Sequence, residues 1–122
     1  MSIAVKRIYE PADKNDGYRV LVDRLWPRGV KKEDAALDEW AKEIAPSPTL
    51  RRWFNHEEAR WEAFRHRYAS ELDDKATFWQ PLATRAAHHR VTLLFGARDE
   101  DHNGAIALKA YLENWLKAHG PR

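Results

Sequence analysis

Tyr18-Arg19-Val20-Leu21-Val22-Asp23-Arg24-Leu25-Trp26-Pro27-Arg28-Gly29 changes character half-way along. Its first half is a short, nearly continuous run of β-formers, the pattern of a strand covered on both faces in a parallel or mixed sheet. Asp23 and Arg24 close the run. Pro27 cannot donate to a ladder and biases Trp26 to extended geometry, so the chain leaves the sheet here, and Gly29 permits a sharp change of direction. In open α/β sheets ligands bind beyond the carboxyl ends of the strands. An Asp, two Arg and a Trp at such an end mark a candidate site.

Two further strands are expected around this one. Ser2 to Tyr9 alternates imperfectly, which suits an edge position. Val91-Thr-Leu-Leu-Phe-Gly96 is nearly all apolar and belongs in the sheet interior, beside and parallel to the strand that ends at Asp23 and Arg24. Between them the spacing of Leu37, Trp40, Ala41 and Ile44 predicts a helix over 31–45, stopped by Pro46. Ser47-Pro48 then reads as an N-cap and first helical residue, opening a short helix over 48–54. Trp61, Phe64, Tyr68 and Leu72 make the stripe of a helix over 57–72. A further helix is expected over 75–88, where Pro81 fits only near its start and otherwise forces a kink. The last helix carries Ala105, Leu108, Leu112, Trp115 and Leu116, with Gly120-Pro121 as its stop. The expected fold class is α/β: a single domain over 1–122 with a small, mainly parallel, three- to four-stranded sheet, helices covering both faces. A mostly helical protein with a three-stranded sheet on one side is the alternative.

Composition narrows the chemistry. There is no cysteine, which excludes disulfides, thiolate metal sites and a cysteine nucleophile. No apolar run approaches the about 20 residues of a membrane-spanning helix, and the first residues lack the order of a signal peptide. The expected location is therefore cytoplasmic, without a membrane partner. Glycine-rich phosphate loops and the G-x-S-x-G elbow are missing. No cofactor or metal is expected: His88 and His89 are adjacent and diverge on a helix, and the acidic run Asp99 to Asp101 reads first as the start of a helix.

What remains is a pair of strand ends. The first offers Asp23, Arg24, Trp26 and Arg28. The second offers Arg98, Asp99, His102 and Asn103. If their strands are parallel neighbours, the two groups share one edge. Arg side chains there would hold a phosphate or carboxylate, Trp26 would stack on a planar ligand or on Arg28, and Asp23 would orient an Arg or His. His102 is the candidate acid/base, since imidazole titrates near neutrality. His56 is a second candidate if the fold carries it to the same edge. The structural alternative is that Asp23 pairs with Arg98 and that Asp99 or Asp101 caps the last helix. The expected partner is a small anionic ligand, with a hydrolase or transferase reaction as one reading. An accessory module for nucleic acid or protein is the other, using Arg51, Arg52, Arg60, Arg65 and Arg67. Interspersed Glu57, Glu58, Glu62 and Glu71 favour a solvated face instead. A monomer or homodimer fits either reading.

With these residues in view, the chain resembles the YeaO-like family, a branch of the domain of unknown function 488. The resemblance rests on Arg19 to Gly29, Leu37-Asp-Glu-Trp-Ala-Lys-Glu-Ile-Ala-Pro-Ser47, Leu50-Arg-Arg-Trp-Phe-Asn-His56, Val91 to Asp99 and His102-Asn103. It covers almost the whole chain. It implies a small bacterial α/β protein with no established activity, and it groups Asp23, Arg24, Trp26, Pro27, Arg28 and Gly29 in one signature. Arg98, Asp99, His102 and Asn103 form another, and His56 falls in a third. Broader relatives look to carry cysteines near the end of the third strand. Phe95-Gly-Ala97 stands there in this chain, so any thiol chemistry of theirs is excluded.

Overall fold

The computed structural model describes residues 2–119. Four strands form one sheet: β1 (Ser2–Arg7), β2 (Tyr18–Leu21), β3 (Glu39–Trp40) and β4 (Arg90–Phe95), in the order β1-β4-β2-β3 with every pair parallel. β2 and β4 are central neighbours, and β1 takes an edge, as their residue patterns predict. The register pairs Tyr18 with Val91 and Leu21 with Leu94. Beyond it, the Val22 N–H donates to the Leu94 carbonyl and the Ile8 N–H to the Phe95 carbonyl. The carboxyl ends of β1, β2 and β4 therefore run out together.

Alternation along the strands sorts side chains into two cores. Ile3, Val20, Val22, Val91, Leu93 and Phe95 face a large core with the helices α2 (Pro48–Phe54), α3 (Trp61–Asp73), α4 (Ala76–His88) and α5 (Gly104–His119). Tyr68 is fully buried there and donates its hydroxyl to the Ile44 carbonyl. Leu21, Leu94 and Ile8 face a small second core. Its cover is not a long helix but the four-residue α1 (Lys32–Ala35), the flanking residues Trp26, Val30 and Leu37, and Trp40 of β3. Further along that face, Asp16 takes the Arg19 guanidinium and the Lys6 ammonium, and the Thr92 hydroxyl donates to the Asp16 carbonyl.

The helix expected over 31–45 is thus corrected. Ala36 turns left-handed at φ 49°, ending α1. The chain then enters β3, with Trp40 opposite Leu21, and makes a 3-10 turn at Lys42–Ile44. Leu37 and Trp40 pack in the small core, whereas Ala41 and Ile44 pack in the large one. Their helical spacing reflects a chain rounding the edge of the sheet. Elsewhere the expectations stand with small shifts. Ser47 caps α2, its hydroxyl accepting the Leu50 N–H at 3.1 Å. A 3-10 turn, Glu58–Arg60, precedes α3. Pro81 lies in the second turn of α4, later than expected. It is exposed, as is Thr77, whose carbonyl loses the bond that Pro81 cannot make, so water can serve it. The expected stop at Gly120-Pro121 lies outside the described residues.

Candidate functional site

A cavity of about 240 Å³ opens where β2 and β4 end. Asp23 and Arg24 reach it from the end of β2, and Gly96 and Ala97 from the end of β4. His102 and Asn103 come from the turn before α5, Arg51 and Phe54 from α2, His56 from the turn after it, and Phe64 from α3. Five of the residues named for the strand-end site therefore share one cavity: Asp23, Arg24, His56, His102 and Asn103.

Asp23 joins the two central strands. Its Oδ2 accepts the Gly96 N–H at 2.8 Å. Burial pushes the carboxyl above its ordinary range, and the Gly96 N–H and the Arg51 charge pull it back only part of the way. Oδ1 has no hydrogen-bond partner among the described residues. A methyl group at Gly96 would stand 3.3 Å from Oδ2, so the closeness of the two strand ends favours glycine here. Arg24 turns toward the wall: its Nη2 donates to the Ala45 carbonyl at 3.2 Å and its Nε, more weakly, to the Pro46 carbonyl at 3.4 Å. Arg51 is exposed, one turn before the helix end, and no ion-pair partner for it lies among the described residues.

His102 is held from one side. Asp99 Oδ2 lies 3.1 Å from Nδ1, which favours the tautomer with the proton on Nδ1 and leaves Nε2 as the freer nitrogen. Asp99 Oδ1 accepts the N–H groups of Asp101 and His102. The Asp101 N–H, together with the His102 side chain and N–H, holds the Asp99 carboxyl below its usual range. The His102 ring meets Trp61 edge-on at 5.2 Å, and Glu58 stands 4.0 Å from Nε2. Asn103 has a structural task beside its place in the lining. Its Oδ1 accepts the Ile106 N–H and its Nδ2 donates to the Asp99 carbonyl, so Asn103, not Asp99 or Asp101, caps α5. Asn55 and His56 are successive left-handed residues, at φ 46° and 55°. Two such non-glycine residues in a row store backbone strain, and His56 stands at the cavity.

The structure does not bring the other residues named for the strand-end site to this cavity. Trp26 does not line this cavity. Its indole N–H donates to the Val30 carbonyl, and its ring meets Trp40 edge-on at 5.3 Å in the small core. Arg28 and Arg98 are exposed and also absent from the lining, and Asp23 pairs with a backbone N–H rather than with Arg98. Asp99 contributes only through His102 and the turn it closes. Arg51 entered the sequence reading only as a phosphate contact for nucleic acid. Its signal was the motif that also supplies His56, but only the packing of α2 against α3 turns it toward Asp23.

An all-parallel α/β domain with cationic side chains around a cavity at the carboxyl ends of its central strands is thereby defined. The chain belongs to the YeaO-like branch of the domain of unknown function 488, since residues 2–121 match the family described as "Inactive DUF488-N3 subclade". It is 46% identical over 118 residues to the uncharacterized protein YeaO of Escherichia coli, a match spanning 97% of this chain and 99% of that protein. Uncharacterized proteins of Mycobacterium bovis and Mycobacterium tuberculosis are 47% identical over 74 residues, 61% of this chain and 63% of theirs. No solved structure matches the chain. Among the described residues, no helix is long and apolar enough to cross a membrane, and no three His, Asp or Glu side chains group around a metal-sized space.

Proposed function

We propose that this protein binds a small phosphate- or carboxylate-bearing ligand in the cavity at the ends of β2 and β4. The observation that carries the reading is Arg51, an exposed guanidinium without an ion-pair partner among the described residues, at the mouth of a cavity that Arg24, His56 and His102 also line. A guanidinium donates two parallel hydrogen bonds to a carboxylate or phosphate, and desolvation inside a cleft strengthens them. Arg24 frames the wall, and the Asp23 charge balances Arg51 when the site is empty.

Binding without turnover fits best. The family's description as an inactive subclade supports it. The Asp99–His102 pair is the one feature that favours a hydrolase or transferase, with Nε2 as the working nitrogen. The nucleic-acid reading has less support. Arg60 and Arg65 pair with Glu57 and Glu62, and Arg60 and Arg67 stack on Trp53, so these charges are answered locally.

Thermal unfolding with inorganic phosphate, sulfate and a phosphorylated sugar tests the proposal. A ligand at a hundred times its Kd adds about 2.7 kcal/mol of stability, about ten degrees for a domain of this size. Arg51→Ala should abolish the shift. An unchanged shift in that variant, or none with any anion, counts against the reading.

A further inference from the structure

The cavity offers more than an anion needs. Its 240 Å³ is many times the about 10–15 Å³ that one water needs, well beyond one phosphate group. Much of the lining is apolar: Leu25, Pro46, Phe54 and Phe64. Leu25 is 59% exposed, a large hydrophobic side chain left in water at the rim of a ligand-sized space. An apolar ligand surface would cover it. At the same time Asp23 Oδ1 has no hydrogen-bond partner among the described residues. An ionised oxygen repels a purely anionic guest, yet it suits an N–H donor.

We propose that the ligand is a ring-bearing anion with an N–H donor: its ring lies against Leu25, Pro46 and Phe54, its N–H donates to Asp23 Oδ1, and its anionic group meets Arg51 and His56. This rests on the anion-site reading and names the class of ligand. Two kinds of compound carry the chemistry, nucleoside monophosphates with an amino-bearing base and amino-substituted aromatic carboxylates.

Calorimetric titration of the full chain at pH 8 separates them. The probes are inorganic phosphate, ribose 5-phosphate, adenosine and guanosine monophosphates, benzoate and 2-aminobenzoate. In at least one series the compound with ring, donor and anion together should bind about tenfold tighter than its counterpart lacking ring or donor. The nucleotide is compared with ribose 5-phosphate, and 2-aminobenzoate with benzoate. The series that gains identifies the source. Leu25→Ala, an exposed change that leaves folding intact, should weaken the ring compounds about fivefold and leave phosphate unchanged. Asp23→Asn keeps its oxygen on the Gly96 N–H and turns its NH2 to the ligand, so it should erase the donor preference while anion binding persists. If phosphate and ribose 5-phosphate bind as tightly as any ring compound, or Leu25→Ala weakens all ligands alike, the ring assignment is overturned and the anion site stands. If nothing binds, or Arg51→Ala changes no affinity, both readings fall.

Discussion

Asp23 Oδ2 accepts the Gly96 N–H at 2.8 Å, tying the residues that leave β2 to those that leave β4. Both residues line the cavity, and for the Asp23 carboxyl burial outweighs what the Gly96 N–H and the Arg51 charge return. Burial raises the Asp23 pKa above 3.8 in the folded chain. A raised carboxyl stabilises the fold below its unfolded pKa, and that contribution is lost as pH rises through the folded value. Asp23→Asn keeps an acceptor for Gly96 and has no charge to bury. Its melting temperature should therefore exceed the parent's at pH 8, with the gap closing toward pH 4. A gap that widens on acidification would show that burial is not the dominant influence.

Asp16 behaves oppositely. Burial alone would raise it, but the Asp13 N–H and the Lys6 and Arg19 side chains outweigh burial and hold it below 3.8. Its stabilisation is present above the unfolded pKa and lost as pH falls through the folded one. Arg19 is also held by the carbonyls of Ala35 and Ala36, so it fastens α1 to β2. Asp16→Ala takes the counter-charge from a buried guanidinium and should cost about 3 kcal/mol in urea unfolding, the low end for a broken buried pair because the Ala35 and Ala36 carbonyls still hold Arg19. A cost below about 1 kcal/mol would mean that the cluster behaves as a surface pair.

Gly17 adopts φ 67°, and a Cβ there would meet the Arg90 carbonyl at 2.3 Å. Neither strain nor clash can relax without moving β4. Gly17→Ala should cost more than about 2 kcal/mol, from the backbone conformation and the displaced strand together. Chemical denaturation reads this directly.

Asn103 caps the sixteen-residue α5 and holds the carbonyl of Asp99, the residue that fixes His102. Asn103→Ala should remove about 1 kcal/mol of stability. It should also loosen His102, visible as faster exchange of its imidazole resonances. Lost stability with an unaltered His102 would separate the cap from the site.

The parallel centre of the sheet was legible because Val20 to Val22 and, but for Thr92, Val91 to Phe95 are apolar on both faces, the pattern of a doubly covered strand. The meeting of Asp23, Arg24, His102 and Asn103 followed from that one inference. The stretch 31–45 was not legible. Leu37, Trp40, Ala41 and Ile44 serve two cores on opposite faces of the sheet, and a spacing rule assumes one. Trp26 lies apart from the other strand-end residues for a related reason: the Trp40 ring and the Val30 carbonyl draw its indole to the small core, away from the cavity. Arg51's place at the cavity was hidden because it depends on where α2 lands, which no local pattern encodes.

Arg24 and Arg51 carry the same charge into the same cavity and should answer differently to removal. Arg24 donates to the carbonyls of Ala45 and Pro46, where the chain turns between the 3-10 segment and α2. Arg24→Ala leaves those carbonyls without that donor and should cost about 1–2 kcal/mol. Arg51 makes no such bond among the described residues and lies exposed on α2, so Arg51→Ala should stay within about 0.5 kcal/mol of the parent. Anion affinity should rank the other way, falling most for Arg51→Ala, because its guanidinium is free to turn to a ligand while Arg24 is already engaged. Urea unfolding and anion titration of the two variants side by side resolve the assignment. If Arg51→Ala destabilises as much as Arg24→Ala, its side chain serves the fold, and the cavity loses the cation on which the binding proposal depends.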